Sequence, residues 1–153
     1  MTEEYFKNGQ VLLIDKPLKW TSFQVVNKLR WEIKQRFNIK KIKVGHAGTL
    51  DPLASGLLII CTGKQTKEIH TYQGQIKEYT GKFTIGSTTP SYDLETDVDK
   101  TFPIDHITEE LLLETTKQFV GEIQQKPPIF SALKKDGNRL YELARKGETT
   151  EIK

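Results

Sequence analysis

Residues Val11 to Asp15 (VLLID) form an apolar run of strand length, and Lys16-Pro17 ends it because proline cannot continue a sheet ladder. The run predicts a short buried strand. Thr21-Ser22 then offers an N-cap hydroxyl. Behind it Phe23, Val26, Leu29 or Arg30, Ile33 and Phe37 recur at three- and four-residue spacing, which predicts a helix with one apolar stripe and its lysines outside. Ile42 and Val44 fit a brief strand, and GHAGTLDPLASG (45 to 56), with three glycines and a proline, is a shaped loop. Leu57 to Cys61 (LLIIC) reads as a second buried strand, followed after Thr62-Gly63 by a polar helical segment from about Lys64 to Tyr72.

Tyr79, Gly81, Phe83 and Ile85 alternate with Thr80, Lys82 and Thr84, which predicts a strand with one buried face, stopped at Gly86. An aperiodic acidic loop follows, until helical spacing resumes over Leu111 to Val120 behind Thr108 as a cap. Beyond Pro127-Pro128, Ile129 to Leu133 fits a strand, Asp136-Gly137 a tight turn, and Leu140 to Lys146 a short helix closed by Gly147. Strands and helices interleave without βαβ regularity, so the pattern predicts a mixed α+β domain. At 153 residues the length favours one core.

Composition narrows the class. With 36% hydrophobic and 28% charged residues and a mean hydropathy of -0.52, the chain should fold and be soluble. Neither a bilayer-length apolar run nor a basic-then-apolar leader occurs, so the cytoplasm is the expected compartment and no membrane is expected as partner. Cys61 is the single cysteine, and three histidines at no ligand-like spacing lead us to expect no metal.

The net charge of +3 conceals an uneven distribution. Residues 91 to 115 carry eight acids against Lys100 alone, a local -7 that leaves +10 elsewhere. Between 28 and 43, seven Lys or Arg stand against Glu32, and Lys126, Lys134, Lys135, Arg139, Arg145 and Lys146 form a second basic group. Such groups suit a phosphate backbone; the competing reading is a solvated helix face.

Asp51 is the leading candidate for chemistry. It lies in the glycine-rich loop, and Pro52 biases it toward an extended backbone that fixes the direction of its carboxylate. A fixed carboxylate serves as nucleophile or base, or else caps a turn. His46 either acts in the same loop or simply bonds its backbone. A P-loop fails, because Gly63-Lys64 is followed by Gln65, and neither GxSxG nor HExxH occurs. Tyr79 beside Lys77 offers a stacking face for a base, or is a core tyrosine.

Taken together, LLIDKPLKWTS (12 to 22), KVGHAGTLDPLASGLLIICTGKQTK (43 to 67), KEYTGKFTIGSTTPSYD (77 to 93) and PPIFSALKKDGNRLYELARKG (127 to 147) resemble the bacterial tRNA pseudouridine synthase B family, the tRNA pseudouridine-55 synthases. The blocks occur in family order over nearly the whole chain. The resemblance implies an α+β domain built on a mixed, mainly antiparallel sheet with flanking helices. It implies isomerisation of the uridine at position 55 in the T arm of tRNA to pseudouridine, with no metal or organic cofactor and no obligate protein partner.

By the same resemblance Asp51 would be the nucleophile, adding to ribose C1′ or to uracil C6. His46 would help open the T loop, and Tyr79 would stack on the target uracil. Lys16 and Pro17 match a block that supports the floor of the site, and Lys134, Gly137, Tyr141 and Arg145 match one that shapes the cleft. Phe130 stands where many members have tyrosine. Family members continue further, with strands that complete the sheet, an arginine that pairs with the aspartate and often an RNA-binding domain. The expectation is therefore the N-terminal portion of a catalytic domain over 1–153, stopping at the beginning of a strand. A non-catalytic RNA-binding or RNA-chaperone module on the same fold is the alternative from another class. A family enzyme acting on a different RNA is a further one, disfavoured because long basic tails are absent.

Overall fold

The computed structural model describes residues 2–125, 134, 135 and 138–140. The chain divides into two compact units, Met1–Thr80 and Gly81–Lys153. Length alone favours one core, but the buried apolar cluster found among the described residues lies within the first unit.

That unit begins with a short helix, α1 (Glu3–Asn8), capped by Thr2. Strand β1 (Val11–Lys16), helix α2 (Ser22–Phe37), and strands β2 (Val44–His46) and β3 (Gly56–Thr62) follow. A 3-10 turn (Gly63–Glu68) leads into α3 (Ile69–Gln73). The sheet has the order β1-β3-β2, antiparallel throughout, with Val11 opposite Cys61, Lys16 opposite Gly56, and His46 opposite Ile60. The central strand β3 thus places the 47–55 loop at its start and the 3-10 turn at its end.

One sheet face and one helix face make the core. Leu58 and Ile60 of β3, with Leu12 and Ile14 of β1 at its margin, pack against Val25, Val26 and Ile33 of α2 and against Phe6, Ile39, Ile42 and Val44. Removing a side chain of this size from water stabilises by about 1.5–3 kcal/mol. The N-cap hydroxyl expected from Thr21-Ser22 is that of Thr21, and it forms a capping box: the hydroxyl accepts from the Gln24 amide, and the Gln24 side chain accepts from the Thr21 amide. Asn38 ends α2 in the left-handed conformation it tolerates well, at φ 51°.

Three expectations need correction. The opposite face of β1 and of the start of β3 is not buried: Leu13 is 67% and Leu57 62% exposed, and only towards its end, at Cys61, does that face of β3 become buried. Phe23 is 60% exposed, because the inward stripe of α2 runs through Ser22, Val25, Val26 and Ile33, one position out of step with Phe23. The strand over 79–85 does not form. Tyr79 and Phe83 are exposed and residues 76–84 have no regular structure. Alternation specifies which face of a strand would be buried, but a strand also needs a neighbour to take its backbone bonds, and no described strand pairs with this one.

In the second unit, β4 (Ser87–Thr88) and β5 (Lys100–Thr101) form a two-residue antiparallel ladder across the acidic loop. Helix α4 (Glu109–Thr116) is capped by Thr108 as expected and runs into a 3-10 turn (Lys117–Phe119). Strands β6 (Lys134–Lys135) and β7 (Asn138–Arg139) pair antiparallel with Lys135 opposite Asn138. The expected strand over 129–133 and most of the expected helix over 140–146 lie outside the described residues.

Candidate active site

Asp51 sits on the surface in the β2–β3 connection, followed by a turn in which the Ala54 amide donates to the Asp51 carbonyl at 3.0 Å. Both of its neighbours in the chain are tied to the β1–α2 segment. On one side the buried Ser22 hydroxyl accepts from the Leu50 amide at 2.9 Å and donates to the Leu50 carbonyl at 3.1 Å. On the other, the Lys19 amide donates to the Pro52 carbonyl at 2.7 Å. These bonds cross a sequence separation of 28 residues at Ser22 and hold Leu50 and Pro52, the residues on either side of Asp51. The carboxylate itself is left open to solvent.

The segment that does the clamping is itself held by Lys16. This residue is 0% exposed, and its ammonium donates to the carbonyls of Pro17 at 3.0 Å and Trp20 at 2.6 Å. Burial holds its pKa below the ordinary lysine value, and the Asp51 carboxylate pulls it part of the way back up. A turn closes from the Trp20 amide to the Pro17 carbonyl at 3.3 Å, with Lys19 at φ 66°. Lys16 therefore organises the support for Asp51 by bonding to backbone rather than by reaching outward.

His46, at the end of β2, enters the same loop. Its Nδ1 lies 2.5 Å from the Gly48 carbonyl oxygen, so Nδ1 carries the proton and donates, which leaves Nε2 as the ring's second polar atom. Gly48, at φ 143°, and Gly56, at φ 121°, turn the backbone into and out of the loop in a region that side-chain-bearing residues rarely adopt. Among the described residues no group of three His, Cys, Asp or Glu comes together as a metal site.

The structure thus brings Asp51, His46, Lys16 and Pro17 into one loop system of the first unit. Tyr79 is 71% exposed, and no hydrogen bond links its side chain to another described residue. Lys134 lies in β6, while Gly137, Tyr141, Arg145 and Phe130 lie outside the described residues. Of the basic group between 28 and 43, Arg30 serves the fold. It donates to the Val44 carbonyl at 3.0 Å and to Asn27 at 2.9 Å, tying α2 to β2.

Comparison with known proteins decides the family. Residues 34–153, which include the Asp51 loop and β3, match the family described as TruB family pseudouridylate synthase (N terminal domain). The chain belongs to the TruB family. It is 68% identical over 153 residues to tRNA pseudouridine synthase B of Flavobacterium johnsoniae, covering 99% of this chain and 67% of that protein. Against the protein of the same name from Phocaeicola vulgatus it is 60% identical over 148 residues, covering 97% and 63%. With that of Chloroherpeton thalassium the figures are 52% over 141 residues, covering 92% and 58%. The chain therefore spans about two thirds of the length of these TruB-family relatives or less.

Sequence reasoning misses two members of this candidate site. Ser22 reads as an alternative N-cap, whereas the cap is Thr21 and the Ser22 hydroxyl serves the loop. Lys19 contributes only its amide, which no side-chain pattern encodes. Replacing Ser22 with alanine leaves the Leu50 amide and carbonyl without their partner. It is expected to destabilise the first unit by about 1–3 kcal/mol and to speed hydrogen exchange at the Leu50 amide. Unchanged exchange at Leu50 would show that the clamp is not what holds the loop.

Proposed function

We propose that residues 1–153 are the N-terminal portion of a catalytic domain that converts uridine 55 in the T arm of tRNA to pseudouridine, in the cytoplasm, with Asp51 as the nucleophile. The observation that carries the reading is the clamp around Asp51: both neighbouring residues, Leu50 and Pro52, are bonded to the β1–α2 segment, so the backbone that carries the exposed carboxylate is held in place. The family match and the name borne by the relatives, tRNA pseudouridine synthase B, support the reaction and a tRNA substrate.

The reaction makes a specific demand. The bond between uracil N1 and ribose C1′ breaks, a bond from uracil C5 to the same C1′ forms, the C5 proton leaves to solvent and N1 gains one. A carboxylate that adds covalently to C1′, or to C6 of the ring, holds the fragments together while the uracil turns. It must be preorganised, because a carboxylate free to swing loses the gain from positioning. No cofactor is needed for this exchange.

In this reading His46 supports the opened T loop, with Nδ1 committed to Gly48 and Nε2 available to the RNA. Tyr79 supplies a ring face on which an unstacked uracil rests. Lys16 and Pro17 support the floor, and Lys134, Tyr141 and Arg145 shape the cleft.

The test is tritium release from a T-arm hairpin labelled at C5 of its uridines. The chain is expected to release label from the hairpin with uridine at the target position and none when that nucleotide is cytidine. A hairpin that binds without releasing label, with release still absent once the downstream strands of the family are restored, would overturn the synthase reading and leave an RNA-binding module.

A further inference from the structure

At the far end of β3 from Asp51, a cavity of about 340 Å³ opens among five lysines. Lys7 comes from the end of α1, Lys41 and Lys43 from the segment between α2 and β2, and Lys64 and Lys67 from the 3-10 turn. No carboxylate lines it. Lys7 is paired with Glu3, and Lys64 donates to the Asn8 side chain at 3.3 Å. Lys41, Lys43 and Lys67 form no ion pair with a described residue.

The walls are fixed by backbone contacts. The Gly63 amide donates to the Lys43 carbonyl at 2.9 Å, joining the two segments that carry four of the five lysines. The buried Thr62 hydroxyl donates to the Phe6 carbonyl at 3.0 Å and accepts from the Gln10 amide at 3.0 Å, which fastens α1 to the end of β3. The backbone that carries these lysines is thus held in place, and the like charges brought together on it attract an anion.

We propose that this cleft binds the phosphate backbone of an RNA whose target nucleotide is engaged at Asp51. The proposal rests on the function proposed above and assigns it a second, separate contact. β3 runs from Gly56, beside the Asp51 loop, to Thr62, beside the cleft. Its length is about 20 Å, a distance that lies within reach of one folded RNA. The cleft holds lysines without arginine or an aromatic ring. Lysine is a point charge suited to phosphate, whereas base reading draws on planar forks or stacking faces. The contact is therefore indifferent to base identity and acts on affinity rather than on the chemical step. Free polyphosphate presents the same chemistry, so the test separates the two sources.

The experiment compares the chain with a Lys41→Gln/Lys67→Gln variant, both residues being exposed, and with Lys117→Gln as a control in the second unit. Affinity for a full tRNA transcript is measured from low to high salt, with tritium release at saturating RNA recorded alongside. The double variant is expected to lower the slope of log affinity against log salt by about 0.7–0.9 per lost contact, and affinity near 0.1 M salt by about five- to eightfold per contact. Its rate at saturating RNA should match that of the unsubstituted chain. Unchanged slope and affinity with tritium release intact would overturn the cleft and leave the proposed function standing. The expected loss of affinity without tritium release would support the cleft, and release still absent after the downstream strands are restored would overturn the function. Inorganic triphosphate binding that disappears in the double variant while tRNA affinity holds would overturn the assignment to RNA.

Discussion

Asp51→Asn is expected to release no measurable tritium from a T-arm hairpin, a fall of at least about a thousandfold, as is typical when a nucleophile is removed. Asparagine has nearly the same shape as aspartate. The bonds that hold the loop involve backbone at Leu50 and Pro52 and the Ser22 hydroxyl, none of which is altered. RNA affinity is accordingly expected to stay within about threefold, since the side chain lost is one carboxylate among many polar contacts. Asp51→Ala provides the stricter arm, because it also removes any ability to cap the turn. Turnover by the alanine protein would overturn the nucleophile assignment. Matched losses of affinity and of turnover in both variants would instead make Asp51 a binding residue.

The second large effect concerns folding. Gly63 has φ 53°, and a Cβ placed there would lie 2.2 Å from the Lys7 carbonyl oxygen and 2.4 Å from that of Phe6. Those oxygens belong to backbone at the end of α1, so no side-chain rotation relieves the overlap. Gly63→Ala must move α1, and with it Phe6, which is part of the core. We expect a loss of about 3 kcal/mol or more. For a unit the size of Met1–Thr80, this corresponds to a melting temperature lowered by about 12–24 °C. Gly74→Ala is the matched control in the same unit: the added methyl would meet its nearest neighbours at 3.9 Å, and the melting temperature should move by no more than about 4 °C. Equal melting of the two variants would show that α1 does not depend on its contact with Gly63.

Which parts of this molecule can be read from sequence follows from the range of the interactions. The capping box of α2 involves Thr21 and Gln24 alone, and the two apolar runs around the loop are strands wherever they find each other, so these elements are legible. The Asp51 loop is legible as a loop because glycine and proline act locally. Helix α1 is not, since its six residues bury Phe6 alone and carry no apolar period. The direction of Phe23 escapes because the stripe of α2 passes through a serine, which pattern reading scores as polar. Lys16 reads as the polar end of a strand, yet it is fully buried, its charge satisfied by carbonyls that only the folded turn brings to it. The role of Ser22 depends on Leu50, 28 residues away. The family resemblance reaches Asp51, His46 and Tyr79 together, and the structure places the first two in and beside the β2–β3 loop and leaves Tyr79 exposed.

The order of the three strands also bears on how the protein is made. β1 leaves the ribosome first, but its partner is β3, and Val11 must wait for Cys61. β2 and β3 pair across the short loop that carries Asp51, so that hairpin can close as soon as it is synthesised. Until then Leu12, Ile14 and the inner face of α2 lack Leu58 and Ile60, the β3 residues of their shared core. During that interval the nascent chain exposes its most adhesive surface, and a slow stretch of translation between codons 16 and 56 would lengthen its exposure to aggregation or to chaperone capture.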